Sequence, residues 1–151
     1  MKIQTEPYCE ELAKAITNEI RRGNRIDTTT KLRNVIEKTL DFLPNNKEKK
    51  DIIKKTCQRT FQALRIDVNN EFEVLYEFME KLPGALKPGG RVAILTFHSG
   101  EDKLVKKALK AGYKEGIYSE YARDVVRPSA QECAQNGRAR STKMRWAVKA
   151  E

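Results

Sequence analysis

Lys87-Pro88-Gly89-Gly90-Arg91-Val92-Ala93-Ile94-Leu95-Thr96-Phe97-His98-Ser99-Gly100-Glu101-Asp102 falls into three physically different parts. Lys87 to Gly90 is turn chemistry, because proline fixes φ and two glycines admit conformations other residues avoid. Val92 to Phe97 is a short, mostly apolar run, which predicts a strand buried on both faces, of the kind found in parallel sheets. His98 to Asp102 is polar and predicts a loop, and Lys103–Lys110 begins a helix with Leu104, Val105 and Leu109 as its apolar positions. Strand, polar loop and helix make one α/β unit, whose loop lies at the carboxyl end of the strand, where open α/β sheets place ligands.

Towards the N-terminus the period changes from two to about 3.6. Tyr8, Leu12, Ile16 and Ile20 recur every four residues, with Pro7, Glu10 and Glu11 at the start and Gly23 past the end, which predicts a helix over 8–22. Asp27 and Thr28 to Thr30 offer caps before Leu32, Val35, Ile36, Leu40 and Leu43, a second helix over 30–43. Residues 47–55 carry five lysines, Lys47, Lys49, Lys50, Lys54 and Lys55, against Glu48 and Asp51, and read as an exposed loop or helix start. From Thr60, the apolar stripe Phe61, Leu64, Val68, Phe72, Leu75, Met79 and Leu82 predicts one long helix or two abutting ones, ending at Pro83.

Towards the C-terminus the signals are shorter. Ala122–Val126 reads as a strand, Ser129–Gln135 as a helix opened by Pro128 and Ser129, Asn136–Gly137 as a turn, and Thr142–Lys149 as a strand with Met144, Trp146 and Val148 at alternate positions. Trp146 in that pattern reads as core rather than as a stacking platform. The whole is α/β: a mostly helical module over 1–82 and a partial α/β layer over 83–151. So few strands leave the Val92–Phe97 edge uncovered, a liability that another chain or a further segment must meet.

Thirty Lys plus Arg against 21 Asp plus Glu give a formal charge of +9, a balance that favours polyanionic partners. From Cys133 to Ala150 there is no acid. No run approaches the roughly 20 apolar residues that span a bilayer, and the opening from Met1 to Leu12 carries no basic-then-apolar leader pattern. The expectation is a cytoplasmic protein without a membrane partner. Cys9, Cys57 and Cys133 are odd in number and far apart, so reduced thiols are expected, with neither a disulfide framework nor a metal site.

Three groups of residues could carry chemistry. His98, the one histidine, stands beside Ser99, Glu101 and Asp102; these could line a pocket that holds a base or phosphate, or could simply cap a helix. Arg59, Gln62 and Arg65 share a helical face opposite Phe61, Leu64 and Val68, where planar guanidinium and amide groups suit phosphates or splayed bases. Arg138, Arg140, Lys143 and Arg145 follow a turn into a strand, a placement that suits RNA backbone contact. A solvated or domain-contact face is the plain alternative for both basic groups.

Three stretches, in this order, resemble the MraW/RsmH family of S-adenosylmethionine-dependent methyltransferases that act on a cytosine N4 of small-subunit rRNA. They are Arg59-Thr60-Phe61-Gln62-Ala63-Leu64-Arg65-Ile66-Asp67-Val68-Asn69, Gly89 to Val92 with Thr96 to Lys103, and Asn136 to Arg145. Tyr8 to Glu11 and Thr28 to Thr30 are similar to parts of the family's inserted helical domain. The resemblance implies a C-terminal part of such an enzyme, with a partial Rossmann-like methyltransferase sheet. The family's glycine-rich loop and ribose-binding acid are not found in these 151 residues, so S-adenosylmethionine is expected to be the family's cofactor without being bound tightly by this chain alone. Gly100 stands where the family usually has Leu, and Asn136-Gly137 where it has Asn-Pro.

Two functions follow from the resemblance: a fragment or split subunit of the rRNA methyltransferase, or a non-catalytic RNA-binding or assembly protein descended from it. A helical interaction module without nucleic acid is a third. The expected partners are rRNA or the small ribosomal subunit, together with a second copy of the chain or a partner carrying the missing half.

Overall fold

The computed structural model describes residues 6–151; the Met1–Thr5 part of the leader reading lies outside them. The chain forms two compact units that meet between Asn69 and Asn70, so the last helix that the sequence reading grouped with the helical module belongs with the sheet.

The first unit holds α1 (Cys9–Arg21), α2 (Thr29–Thr39) and α3 (Lys47–Val68). Gly23, at φ +83°, takes the left-handed conformation just beyond α1. Thr28 caps α2 by accepting from the Lys31 amide, and Asn46 caps α3 by accepting from that of Lys49. The Asn46 cap explains why the lysine-rich segment is already helix. Leu12, Leu32, Ile36 and Leu40 form the core, and Tyr8, Ile16, Ile52, Ile53, Cys57 and Phe61 pack around it. Each apolar side chain fully buried there stabilises by about 1.5–3 kcal/mol.

The second unit holds α4 (Glu71–Ala85), β1 (Arg91–Thr96), α5 (Ser99–Lys114), β2 (Tyr118–Tyr121), α6 (Ala130–Gln135) and β3 (Lys143–Lys149). Strand order is β1-β3-β2, with β3 antiparallel to both neighbours. Strands β1 and β2 therefore run in the same direction, and α5 is the crossover that joins them. Opposed residues of an antiparallel pair share a face, so Val92 with Ala147, Ile94 with Arg145 and Thr96 with Lys143 line one side. Met79, Leu82, Val105, Leu109, Tyr118 and Ala147 form the core on that side, with Val92 and Ile94 packed against it. Ala93 with Trp146 and Leu95 with Met144 line the other.

Four readings need correction. β1 is not buried on both faces: Ala93 is exposed, Leu95 is 57% exposed and Phe97 56%. In this unit α4 and α5 pack with the core on one side of the sheet, and Trp146 lies half-buried on the other side, away from that core. The second strand is Tyr118–Tyr121 rather than Ala122–Val126, of which Val126 makes a single bridge to Met144. The stripe from Phe61 to Leu82 forms two helices, one of the two arrangements expected, divided at Asn69-Asn70, where Asn70 adopts φ +49°; Val68 at the end of α3 is exposed. Helix α4 runs on through Pro83 to Ala85, since a proline in the last turn removes one ladder donor without ending the helix.

Candidate functional site

The expected polar loop His98–Asp102 is instead the start of α5. His98 is the N-cap: its Nδ1 accepts from the Glu101 amide at 3.4 Å, while Glu101 Oε2 accepts from the amides of Phe97 at 3.0 Å and His98 at 3.4 Å. This reciprocal capping box satisfies backbone donors that the first helical turn otherwise leaves unpaired. Histidine is an uncommon cap, which is why a loop was expected. Phe72, from α4, meets the His98 ring edge-on with centroids 5.7 Å apart.

Capping leaves the other side of the imidazole unused. His98 Nε2 is buried and has no hydrogen-bond partner; Glu101 Oε1 lies 3.3 Å away but off the bonding direction. With Nδ1 accepting, Nε2 carries the proton and is a donor awaiting an acceptor. Ser99 beside it is exposed.

Asp102 faces a different way. Its carboxylate takes both arms of the Arg145 fork, Oδ1 from Nε at 2.7 Å and Oδ2 from Nη2 at 3.2 Å. Arg145 Nη1 donates to the carbonyls of Ala122 and Arg123. Burial pushes the Asp102 pKa up, but the hydrogen bonds and charge of Arg145, with Lys143 and Lys106 nearby, prevail and hold it below the ordinary carboxylate value. Asp102, expected to line a pocket, and Arg145, expected to face RNA, are thus buried and paired with each other inside the fold.

The remaining basic candidates separate in the same way. Arg59 pairs with Glu6, whose other oxygen accepts from the Thr56 hydroxyl at 3.0 Å. Arg65 is exposed and Gln62 half-buried. Arg138 and Arg140 are exposed on a single turn of 3-10 helix over Gly137–Ser141, opened by the Asn136 side chain accepting from the Arg138 amide at 3.1 Å, and Lys143 begins β3 half-buried.

Glu71 and Phe72 were missed. Glu71, His98 and Glu101 each bring one donor atom within 4.8 Å of the others, the one such trio among the described residues. Glu71 and Glu101 sit in the first turns of α4 and α5, where the helix dipole opposes a cation, and capping already engages His98 Nδ1 and Glu101 Oε2. The Asn69-Asn70 pair was the signal that a second helix starts there. Cys9, Cys57 and Cys133 are free thiols, and burial pushes the Cys57 thiol up. No helix among the described residues is long and apolar enough to cross a membrane.

The second unit is an α/β layer in which α5 joins β1 and β2, two strands that run in the same direction while each pairs antiparallel with β3, and the buried His98 Nε2 without a hydrogen-bond partner lies at the start of that connection. The profile of the MraW methylase family matches residues 1–150, and the chain belongs to that family. It is 88% identical over 146 residues, 97% of its length, to ribosomal RNA small subunit methyltransferase H 1 of Agathobacter rectalis. It is 71% identical over 96% of its length to the protein of that name from Lachnoclostridium phytofermentans, and 40% identical over 95% to ribosomal RNA small subunit methyltransferase H of Mesomycoplasma hyopneumoniae strain 7448. The chain spans 42%, 39% and 47% of those relatives' lengths.

Proposed function

We propose that this chain supplies the base- and RNA-facing part of an S-adenosylmethionine-dependent methyltransferase acting on a cytosine N4 of small-subunit rRNA. The 88% identity to a ribosomal RNA small subunit methyltransferase H carries the reading. Methyl transfer to an exocyclic amine needs a sulfonium donor, an aligned nitrogen, and a polar pocket that holds the base out of its stack. His98 Nε2 is suited to donate to a base oxygen or a flanking phosphate, with Ser99 beside it and Phe72 steadying the ring. Glu101 acts by fixing the His98 backbone and the first turn. Arg138, Arg140 and Lys143 contact the RNA backbone, and Gln62 and Arg65 offer a second polar face.

The cofactor is held mainly by sequence other than these 151 residues. The free edge of β1 and the apolar face through Ala93, Leu95 and Trp146 support a partner there, either that further sequence or a second copy of the chain.

The test is reconstitution. The remaining part of the Agathobacter rectalis relative is mixed with this chain, and labelled methyl transfer to unmethylated small subunits is measured. Transfer only when both parts are present is the expected result. RNA binding by the chain without methyl transfer in any mixture would overturn the catalytic reading in favour of a non-catalytic RNA-binding descendant.

A further inference from the structure

We propose that the exposed lysines of α3, Lys47, Lys50, Lys54 and Lys55, form a phosphate-binding strip for RNA backbone, separate from the Arg138–Lys143 turn; this rests on the RNA reading above. Lys47, Lys50 and Lys54 are spaced by three and then four residues, so their side chains leave one face of the helix about 5–6 Å apart, and Lys55 flanks Lys54. All four are exposed, and none has a hydrogen bond or ion pair among the described residues. Periodicity sorts the fifth lysine away from them. Lys49 points to the other side, where its ammonium pairs with Asp41 at 3.0 Å and its side chain is only 13% exposed.

The basic side chains placed in the recognisable motifs are largely engaged elsewhere, whereas these are not. Arg59 is tied to Glu6 and Arg145 to Asp102. Four lysines against the two carboxylates Glu48 and Asp51 leave the row net positive, with like-charge neighbours three and four apart repelling modestly, which an anion laid along the row relieves. Between Lys47 and Gln58 the strip carries no exposed aromatic or large aliphatic residue, so that stretch lacks what a membrane-lying helix would insert and what base stacking would use. Compact ammonium groups suit phosphate oxygens as point charges, giving position and affinity without sequence choice.

The experiment is fluorescence anisotropy of a labelled RNA duplex of about 20 base pairs across a potassium chloride series. It compares the unaltered chain, the triple variant Lys50→Gln/Lys54→Gln/Lys55→Gln, and Arg138→Gln/Arg140→Gln, each checked for unchanged circular dichroism. Each lost phosphate contact removes about 0.7–0.9 from the slope of log affinity against log salt, so the lysine triple should flatten it by about two to three units. Its affinity should fall by at least tenfold near 0.1 M salt. If the unaltered chain binds and the arginine double weakens binding while the lysine triple leaves slope and affinity unchanged, the strip is refuted and the RNA reading stands. If the unaltered chain does not bind RNA, both fail together. If a polyglutamate peptide binds as tightly as the duplex and loses as much in the lysine triple, the partner is an acidic protein face and the RNA assignment is overturned.

Discussion

Asp102 and Arg145 form a two-armed ion pair inside the sheet unit, at 2.7 and 3.2 Å, with each residue under a tenth exposed. The pair joins the first turn of α5 to the middle of β3, and through two carbonyls it also holds the segment after β2. The string of basic residues after the Asn136-Gly137 turn thus resolves into one internal clamp and two solvent-facing arginines.

Removing one side of such a pair leaves a buried charge uncompensated, which typically costs about 3–5 kcal/mol. Asp102→Asn is expected to fall at or just below the lower end of that range, because the amide oxygen still accepts one hydrogen bond. Urea unfolding measures it, and a loss under 1 kcal/mol would show that Arg145 finds other partners. The pH dependence has a definite sign. The folded Asp102 pKa is depressed, so its stabilisation is complete above the unfolded value of about 3.9 and is lost as pH falls through the folded one. The unaltered chain should lose stability below about pH 4 more steeply than Asp102→Asn.

Gly112 lies in α5, where alanine ordinarily gains about 1 kcal/mol over glycine. A Cβ at this position would lie 2.6 and 2.7 Å from two carbons of the Tyr118 ring, which is 3% exposed and held in the core. Overpacking of this kind costs about 1–3 kcal/mol. Gly112→Ala is therefore expected to destabilise despite its better propensity, seen as a lower denaturation midpoint with an unchanged slope. A raised midpoint would mean that the ring swings aside freely.

Much of this fold was legible where period and punctuation agreed. Tyr8, Leu12 and Ile16 gave α1 nearly its limits, Ser129 gave the start of α6, and the alternation around Met144 and Trp146 gave β3. The strand–helix unit at Val92 was legible too, but not its one-sided burial, because an apolar run does not reveal how many faces have neighbours. The site was legible as a cluster and not as a geometry. Sequence placed His98, Glu101 and Asp102 together; only the helical turn sends His98 and Glu101 into a capping box while Asp102 turns to Arg145, forty-three residues away. Long-range pairing of that sort leaves no local pattern. Gly100 has a steric account: a Cβ there would lie 2.8 Å from the Phe72 ring that packs on His98.

His98 combines a cap with an unsatisfied donor, and two substitutions separate these. His98→Ala removes the cap and should cost about 1 kcal/mol, whereas asparagine caps well and should cost little. In the reconstituted methyl-transfer assay both variants are expected to lose at least tenfold in rate, since neither presents a ring donor at the position of Nε2. An asparagine variant as active as the unaltered protein would restrict His98 to capping.

Edge exposure gives the last prediction. Among the described residues, strand β1 pairs with β3 on one side only, and its outward residues include Leu95 and, just beyond its end, Phe97, both more than half exposed. Unpaired strand donors beside apolar side chains form a template for another strand. A two-fold axis can pair two such edges antiparallel, since that arrangement satisfies the same groups on both copies. Light scattering of the isolated chain at micromolar concentration is expected to give a mass above the 17.4 kDa of one copy. Leu95→Lys should lower that mass, because a charge on the uncovered face resists burial there while remaining solvated in the single chain. Adding the remaining part of the Agathobacter rectalis relative should also dissociate the self-assembly, if both compete for the β1 edge. A mass of one copy that persists on concentration, in a cooperatively unfolding sample, would show that the three-stranded sheet tolerates its open edge and needs no partner to cover it.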